Sequence, residues 1–464
     1  MKRMLTLVLT LVLAFSLTAC LNTRGDQKTI EVNVPDSLGT EEITITFWHT
    51  YGQGKSDLLD EMIAEFELLY PNITVDSESQ GNYTDLLSKT KKALGSAGGV
   101  KPDVVVGYPD HFAEYMDLGG IIPLDKFIEH ADWGVDLDDY QPSYVAENAQ
   151  YADGMYSMPY SKSTEMMVYN KTRFDALGIT FDANEIITWE YLETIADQVV
   201  GTGDNQCEYL INYDSASNLF INSSRQWDAG YTNSDGEVLV DNDTTNAMLT
   251  YYQGLMEDNI LALPMQWEQN YGSANFLLED VCMTVGSTAG LTYNNPLDRL
   301  EPADQFEIGI LPIPQFDGKT QSAMQQGPNI AVMESGDDYE RLASWLLIKH
   351  LTSTENTAKW AIDTGYLPVT LSGYNSDTFQ DFLAGTDLDY IYEAISANAA
   401  YAQMSFNNYD PAFAGIGKIS SAKVREEAGY AIETIYAKTM LPDTYDKPQT
   451  IIDAVQEMIN QLTW

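Results

Sequence analysis

Apolar and polar residues alternate through Ile43-Thr44-Ile45-Thr46-Phe47, a period of two that predicts a strand running into Trp48. Ser56-Asp57 then reads as a helix cap with acids in the first turn. Leu58, Leu59, Met62, Ile63, Phe66 and Leu69 recur on one helical face, and Pro71 stops the helix. Ile73 to Val75 predicts a second strand, 85–94 a second helix, and Asp103 to Val106 a third strand covered on both faces. Strand, helix, strand, helix, strand at this spacing predicts a parallel sheet with right-handed crossovers, hence an α/β fold. Further on, Thr188 caps a helix to Val199, Glu237 to Val240 reads as a strand after a turn, and Asp243 caps another helix. Helices over 341–352 and on to Ile362 follow, and Pro448 opens a last one. No repeat or Pro/Gly-rich linker divides the body, so the domains are expected to interleave through crossing strands.

The N-terminus has another pattern. Lys2 and Arg3 precede an apolar or small-residue run from Leu5 to Leu17, thirteen residues long. A bilayer takes about 20, so this is a signal peptide over 1–19 and not a membrane span. Its end, Leu17-Thr18-Ala19-Cys20, resembles the bacterial lipobox, which implies lipid attachment at Cys20. Residues 20–40 are polar and aperiodic and read as a tether with a reach of roughly 25 Å. The body would then meet the membrane only through its lipid, outside the cytoplasm.

Charge narrows the partners. Across 464 residues Lys and Arg total 24 against 69 Asp and Glu, a net −45. Such a chain repels phosphate backbones and anionic membrane surfaces, which excludes nucleic acid as a partner. Three Cys exclude a disulfide scaffold. A Cys207–Cys282 bridge is compatible with export, but the reading leans to separate thiols.

Several segments resemble the extracellular solute-binding proteins of ABC importers, in the cluster of maltose- and glycerol-phosphate-binding proteins. They are Ile45-Thr46-Phe47-Trp48-His49, Leu69-Tyr70-Pro71-Asn72-Ile73, Gly81-Asn82-Tyr83, Lys101-Pro102-Asp103-Val104-Val105, Tyr156 to Tyr160, Met167 to Lys171, and Lys359 to Pro368. Their order and spacing carry the resemblance over the whole mature chain. It implies a two-lobe, type II periplasmic-binding-protein-like α/β fold with a hinge and an interlobe ligand cleft. The first lobe would comprise 41–158 and 315–366, the second 159–314 and 367–464. It also implies a monomer, without cofactor or metal, that delivers a small solute to the permease subunits.

Ligands of open α/β sheets sit beyond the carboxyl ends of strands. That rule selects Trp48, His49 and Tyr51 after the first strand, Asn82 and Tyr83 after the second, and Tyr108 and Asp110 after the third. Asp110 could equally cap a helix. Tyr160 and Glu165 lie where the chain first crosses between lobes, as hinge or site. Trp227 and Trp267, in polar stretches, could stack on a sugar ring. Ser287, Gln326 and Gly327 offer hydroxyl, amide and backbone groups; Tyr366 could be cleft or core. Trp345 and Trp360 lie on helices and read as core. Four His and no recognisable catalytic motif argue against catalysis. A phosphate ligand would need a cation, and 413–417 carries Gly where one is expected, with Lys418 close by. A neutral mono- or oligosaccharide is therefore the expected ligand. A glycerol phosphate, or the substrate of a secreted hydrolase, is the alternative.

Overall fold

A computed structural model describes residues 30–462, apart from 97, 99, 152–153, 183–185, 234, 388–389, 410–411, 414–419 and 441–445. The signal peptide, Cys20, the first part of the tether and Lys418 lie outside the described residues.

Along the chain the strands are β1 (Ile43–His49), β2 (Ile73–Ser79), β3 (Val104–Gly107), β4 (Met158–Pro159), β5 (Ser163–Asn170) and β6 (Tyr209–Tyr213). They continue with β7 (Leu261–Ala262), β8 (Val281–Ser287), β9 (Ile308–Pro312), β10 (Ala323–Gln326), β11 (Asn329–Val332) and β12 (Asn407–Asn408). Two sheets result, in the orders β2-β1-β3-β11-β4 and β12-β10-β5-β8-β6-β7, with β9 also paired to β5. β1 runs parallel to both β2 and β3, as the spacing predicted, whereas β11 returns antiparallel to β3. Ile45, Phe47 and Val104 to Val106 are fully buried beneath helices. Asp103 ties the sheet start, its carboxylate accepting the Thr46 amide at 2.8 Å.

Several local expectations shift by a residue or a turn. The first helix starts at Gln53 behind Gly52, because Ser56 is already in its first turn with its hydroxyl on the Tyr51 carbonyl. Leu69, expected inward, is 64% exposed at that helix's end. Asn242 caps the helix expected to start from Asp243. The strand expected at 237–240 reduces to one bridge between Thr232 and Val238.

The chain crosses between the sheets three times: at Tyr160-Ser161-Lys162, at Gly327-Pro328, and after the helix Thr354–Thr364. Both β9 and β10 pair with β5, so the return to the first lobe, expected at 315, comes at 327–328. That helix serves both sides: Trp360 joins the first core, Ala358 and Ala361 the second lobe's. A Cys207–Cys282 disulfide spans the second lobe, contrary to the leaning toward separate thiols. Cys207, just before β6, comes within 5.6 Å (Cα to Cα) of Cys282 on the neighbouring strand β8. Among the described residues no helix is long and apolar enough to cross a membrane.

Candidate functional site

The three crossings meet at one buried lysine. Lys162 is fully buried, and its Nζ donates to Glu147, to the Gly327 carbonyl at 3.0 Å and to Asn329 Oδ1 at 3.3 Å. Its backbone carbonyl accepts the Leu367 amide at 2.7 Å. Burial lowers the ammonium's pKa and Glu147 opposes that shift. Gly327 has φ +88°, and a Cβ there would lie 1.9 Å from the Ser161 carbonyl oxygen, so only glycine lets the strands pass. Gly327 is thus hinge structure.

Aromatic rings stack over this junction. Trp360 lies 5.6 Å from Tyr160 and 6.3 Å from Tyr366, both nearly parallel, with Tyr51 edge-on at 5.0 Å. Ser161 Oγ joins them, accepting Trp360 Nε1 at 2.9 Å and sharing a proton with Tyr51 Oη at 2.9 Å. Among the described residues the buried Tyr160 hydroxyl has no hydrogen-bond partner. Tyr83 packs 4.7 Å from Tyr108, with its hydroxyl beside Thr50 and Tyr366 but in no well-formed bond. Burial raises the pKa of each of these tyrosines, which therefore remain neutral hydroxyls.

The lobes touch beside this stack. Lys55, from the first helix, donates to the Ala289 carbonyl at 3.0 Å and sits 4.7 Å above the Tyr366 ring. Burial lowers it to about 8. Gly365, at φ +74°, leaves room for the Thr288 carbonyl, which a Cβ would approach to 2.6 Å.

On the other side of Tyr108 an interlobe recess opens to solvent. Tyr108, Asp110 and Glu147 line it from the first lobe, Gln325, Gln326 and Arg425 from the second. The sequence points to Tyr108, Asp110 and the amide-rich segment at Gln325 and Gln326, but not to Glu147 or Arg425. Arg425 lies 315 positions from Asp110 (425 − 110), on the helix Ser421–Thr439, whose Val424 and Ala428 are buried. That periodicity puts position 425 at the edge of a buried face; nothing in it names the recess.

Other expected residues sit elsewhere. Trp48 is in the first core. His49 is buried, with Nδ1 accepting the Tyr51 amide and Nε2 on Ser77; burial lowers it to about 4, so it is neutral. Asn82 caps a helix, accepting the Asp85 amide at 2.9 Å, as its sequence position after β2 requires. Ser287 caps the turn at Ala289. Trp227 packs on Phe316 beneath Lys319, and Trp267 on Tyr209, so aromatic neighbours of the second lobe take both rings away from the recess. Glu165 is buried one layer behind the recess. Among the described residues no cluster of His, Cys, Asp and Glu could hold a metal.

The bacterial extracellular solute-binding protein model matches residues 61–384. The chain belongs to this family, the substrate-binding receptors of ABC importers. The solute-binding protein is 22% identical over 358 residues to the sn-glycerol-3-phosphate-binding periplasmic protein UgpB of Brucella abortus, covering 73% of this chain and 77% of that one. Its fold is similar to UgpB from Mycobacterium tuberculosis in complex with glycerophosphocholine, with TM-score 0.73, 20% identity, and 90% and 98% of the two chains covered. It is also similar to Lmo0181 from Listeria monocytogenes in complex with cycloalternan, with TM-score 0.72, 17% identity, and 91% and 100% covered. These likenesses show a two-lobe periplasmic-binding-protein fold.

Proposed function

We propose that this solute-binding protein is lipid-anchored through Cys20, captures a neutral mono- or oligosaccharide in the interlobe recess and delivers it to a membrane permease. The observation that carries this reading is the balance of groups in the recess. Acceptors (Asp110, Glu147), amides (Gln325, Gln326), tyrosine hydroxyls and one guanidinium (Arg425) share its wall. Alternating donors and acceptors suit a hydroxyl-rich ligand, whose O–H groups do both. The charges cancel locally, Asp110 against Arg425 and Glu147 against Lys162, so no surplus cation invites an anion. The protein would bind its solute without transforming it.

A glycerophosphate-type ligand is the second reading. It is favoured by one observation: Arg425 forms no ion pair among the described residues, while its guanidinium donates only to Asn218 Oδ1 and Met324 Sδ. The two readings separate in a thermal-shift screen. A ligand at 100 times its dissociation constant adds about 2.7 kcal/mol of stability. Neutral sugars should raise the unfolding temperature. Stabilisation by glycerophosphodiesters alone would move the assignment to the second reading, and turnover of an added glycan would make the protein a hydrolase.

A further inference from the structure

Arg425 reaches the recess from the helix Ser421–Thr439, but what fixes its guanidinium lies one layer behind. Its Nη2 donates to Asn218 Oδ1. Asn218, on the helix Ala216–Gln226, turns its Nδ2 the other way and donates to Glu165 Oε1 at 2.7 Å. Glu165, on β5, is 1% exposed and also takes Tyr213 Oη at 2.7 Å and Asn222 Nδ2 at 2.9 Å. An ionised carboxylate only accepts, so Asn218 must present its NH2 group to Glu165. That choice leaves the amide oxygen facing Arg425. A flipped amide would oppose two sets of N–H donors.

We propose that Glu165 is a positioning residue for solute capture: through Asn218 it holds the Arg425 guanidinium at the recess, where Arg425 anchors an oxygen of the bound solute. The proposal rests on the recess being the solute site, not on the solute being neutral. Burial raises the Glu165 carboxyl to about 7, against the pull of Asn218, Tyr213 and Arg425 and with a further push from Asp214. On the remaining side Gln403 touches only its backbone carbonyl, and the β8 residue opposite is Ser287. Protonation adds a donor that competes for the Asn218 oxygen. Affinity should therefore fall as pH drops through about 7.

Calorimetric titration with maltotriose and with glycerophosphocholine, at pH values above and below that point, tests this on the full protein. Glu165→Gln and Arg425→Gln should each weaken whichever probe binds by about tenfold, the loss of one charge-assisted hydrogen bond. The double variant should bind no worse than Arg425→Gln, and Glu165→Gln should lose the pH dependence. A crystal structure of Glu165→Gln decides without any probe: the Arg425 guanidinium should leave Asn218. If it stays, or if the two losses multiply, the proposal is overturned. Should Glu165→Gln fail to fold, Asn218→Ala breaks the same relay and must reproduce the Arg425→Gln loss. Binding of glycerophosphocholine alone would overturn the neutral-sugar reading, while the same variants still judge the relay.

Discussion

Replacing Lys162 by Met should destabilise the protein far more than its single charge suggests. The ammonium has three protons and three acceptors, Glu147, the Gly327 carbonyl and Asn329 Oδ1, with none of its side chain exposed. The Met variant leaves the Glu147 carboxylate, itself 3% exposed, with only Asn329 Nδ2 at 3.0 Å. Breaking a buried pair from one side costs about 3–5 kcal/mol, because the remaining charge stays desolvated. Glu147→Gln leaves the opposite charge uncompensated and should cost a similar amount. The double variant removes both charges, so its loss should fall short of the sum of the singles by more than ~2 kcal/mol. Denaturant unfolding of the four proteins at pH 7 without ligand measures all of this. Single losses below about 1 kcal/mol, or additive losses, would refute a buried clasp that ties the first two crossings.

The other predictions concern separate parts of the chain. Cys207 and Cys282 close a loop across a separation of 75 residues, so replacing both by Ala should cost about 2–4 kcal/mol in equilibrium unfolding; an unchanged midpoint would mean the bond does not form. Glu165 has a folded pKa raised to about 7 from 4.5, so its contribution is fully present below about 4.5 and is lost as pH rises through 7. Glu165→Gln should therefore flatten the fall in stability between those limits, which amounts to roughly 3 kcal/mol; parallel pH curves for the two proteins would contradict this. Cys20→Ser should release the protein into the medium, as fractionation reads directly, and a variant still retained by the membrane would refute lipid attachment.

The first sheet was legible because its signals are local. The alternation in Ile43 to Phe47, the helical face from Leu58 to Phe66 and the Val104 to Val106 run each state their own burial. The second sheet was harder. Gln325 to Val332 looks like one approach to one strand, yet Gly327 divides it between two sheets, and only the neighbouring Ser161 carbonyl explains why. At the recess, Tyr108 and Asp110 followed from the strand-end rule. That rule could not reach Arg425, which comes from a helix and is placed by packing between distant segments. Trp227 and Trp267 failed for a related reason: their flanks are polar, but Phe316 and Tyr209 arrive from elsewhere to cover them. Asn82 was noticed for its position after a strand, which is also the position before a helix, and there its side chain caps that helix.

Isothermal titration of the protein with a panel of neutral oligosaccharides and glycerophosphodiesters, at low and high salt, tests the central claim most directly. The account predicts one sugar bound per chain, with an affinity that changes less than about threefold across the salt range, because the recess has no net charge to screen. Binding confined to a phosphodiester, with affinity collapsing as salt is added, would contradict it and make the Arg425 guanidinium the partner of an anion.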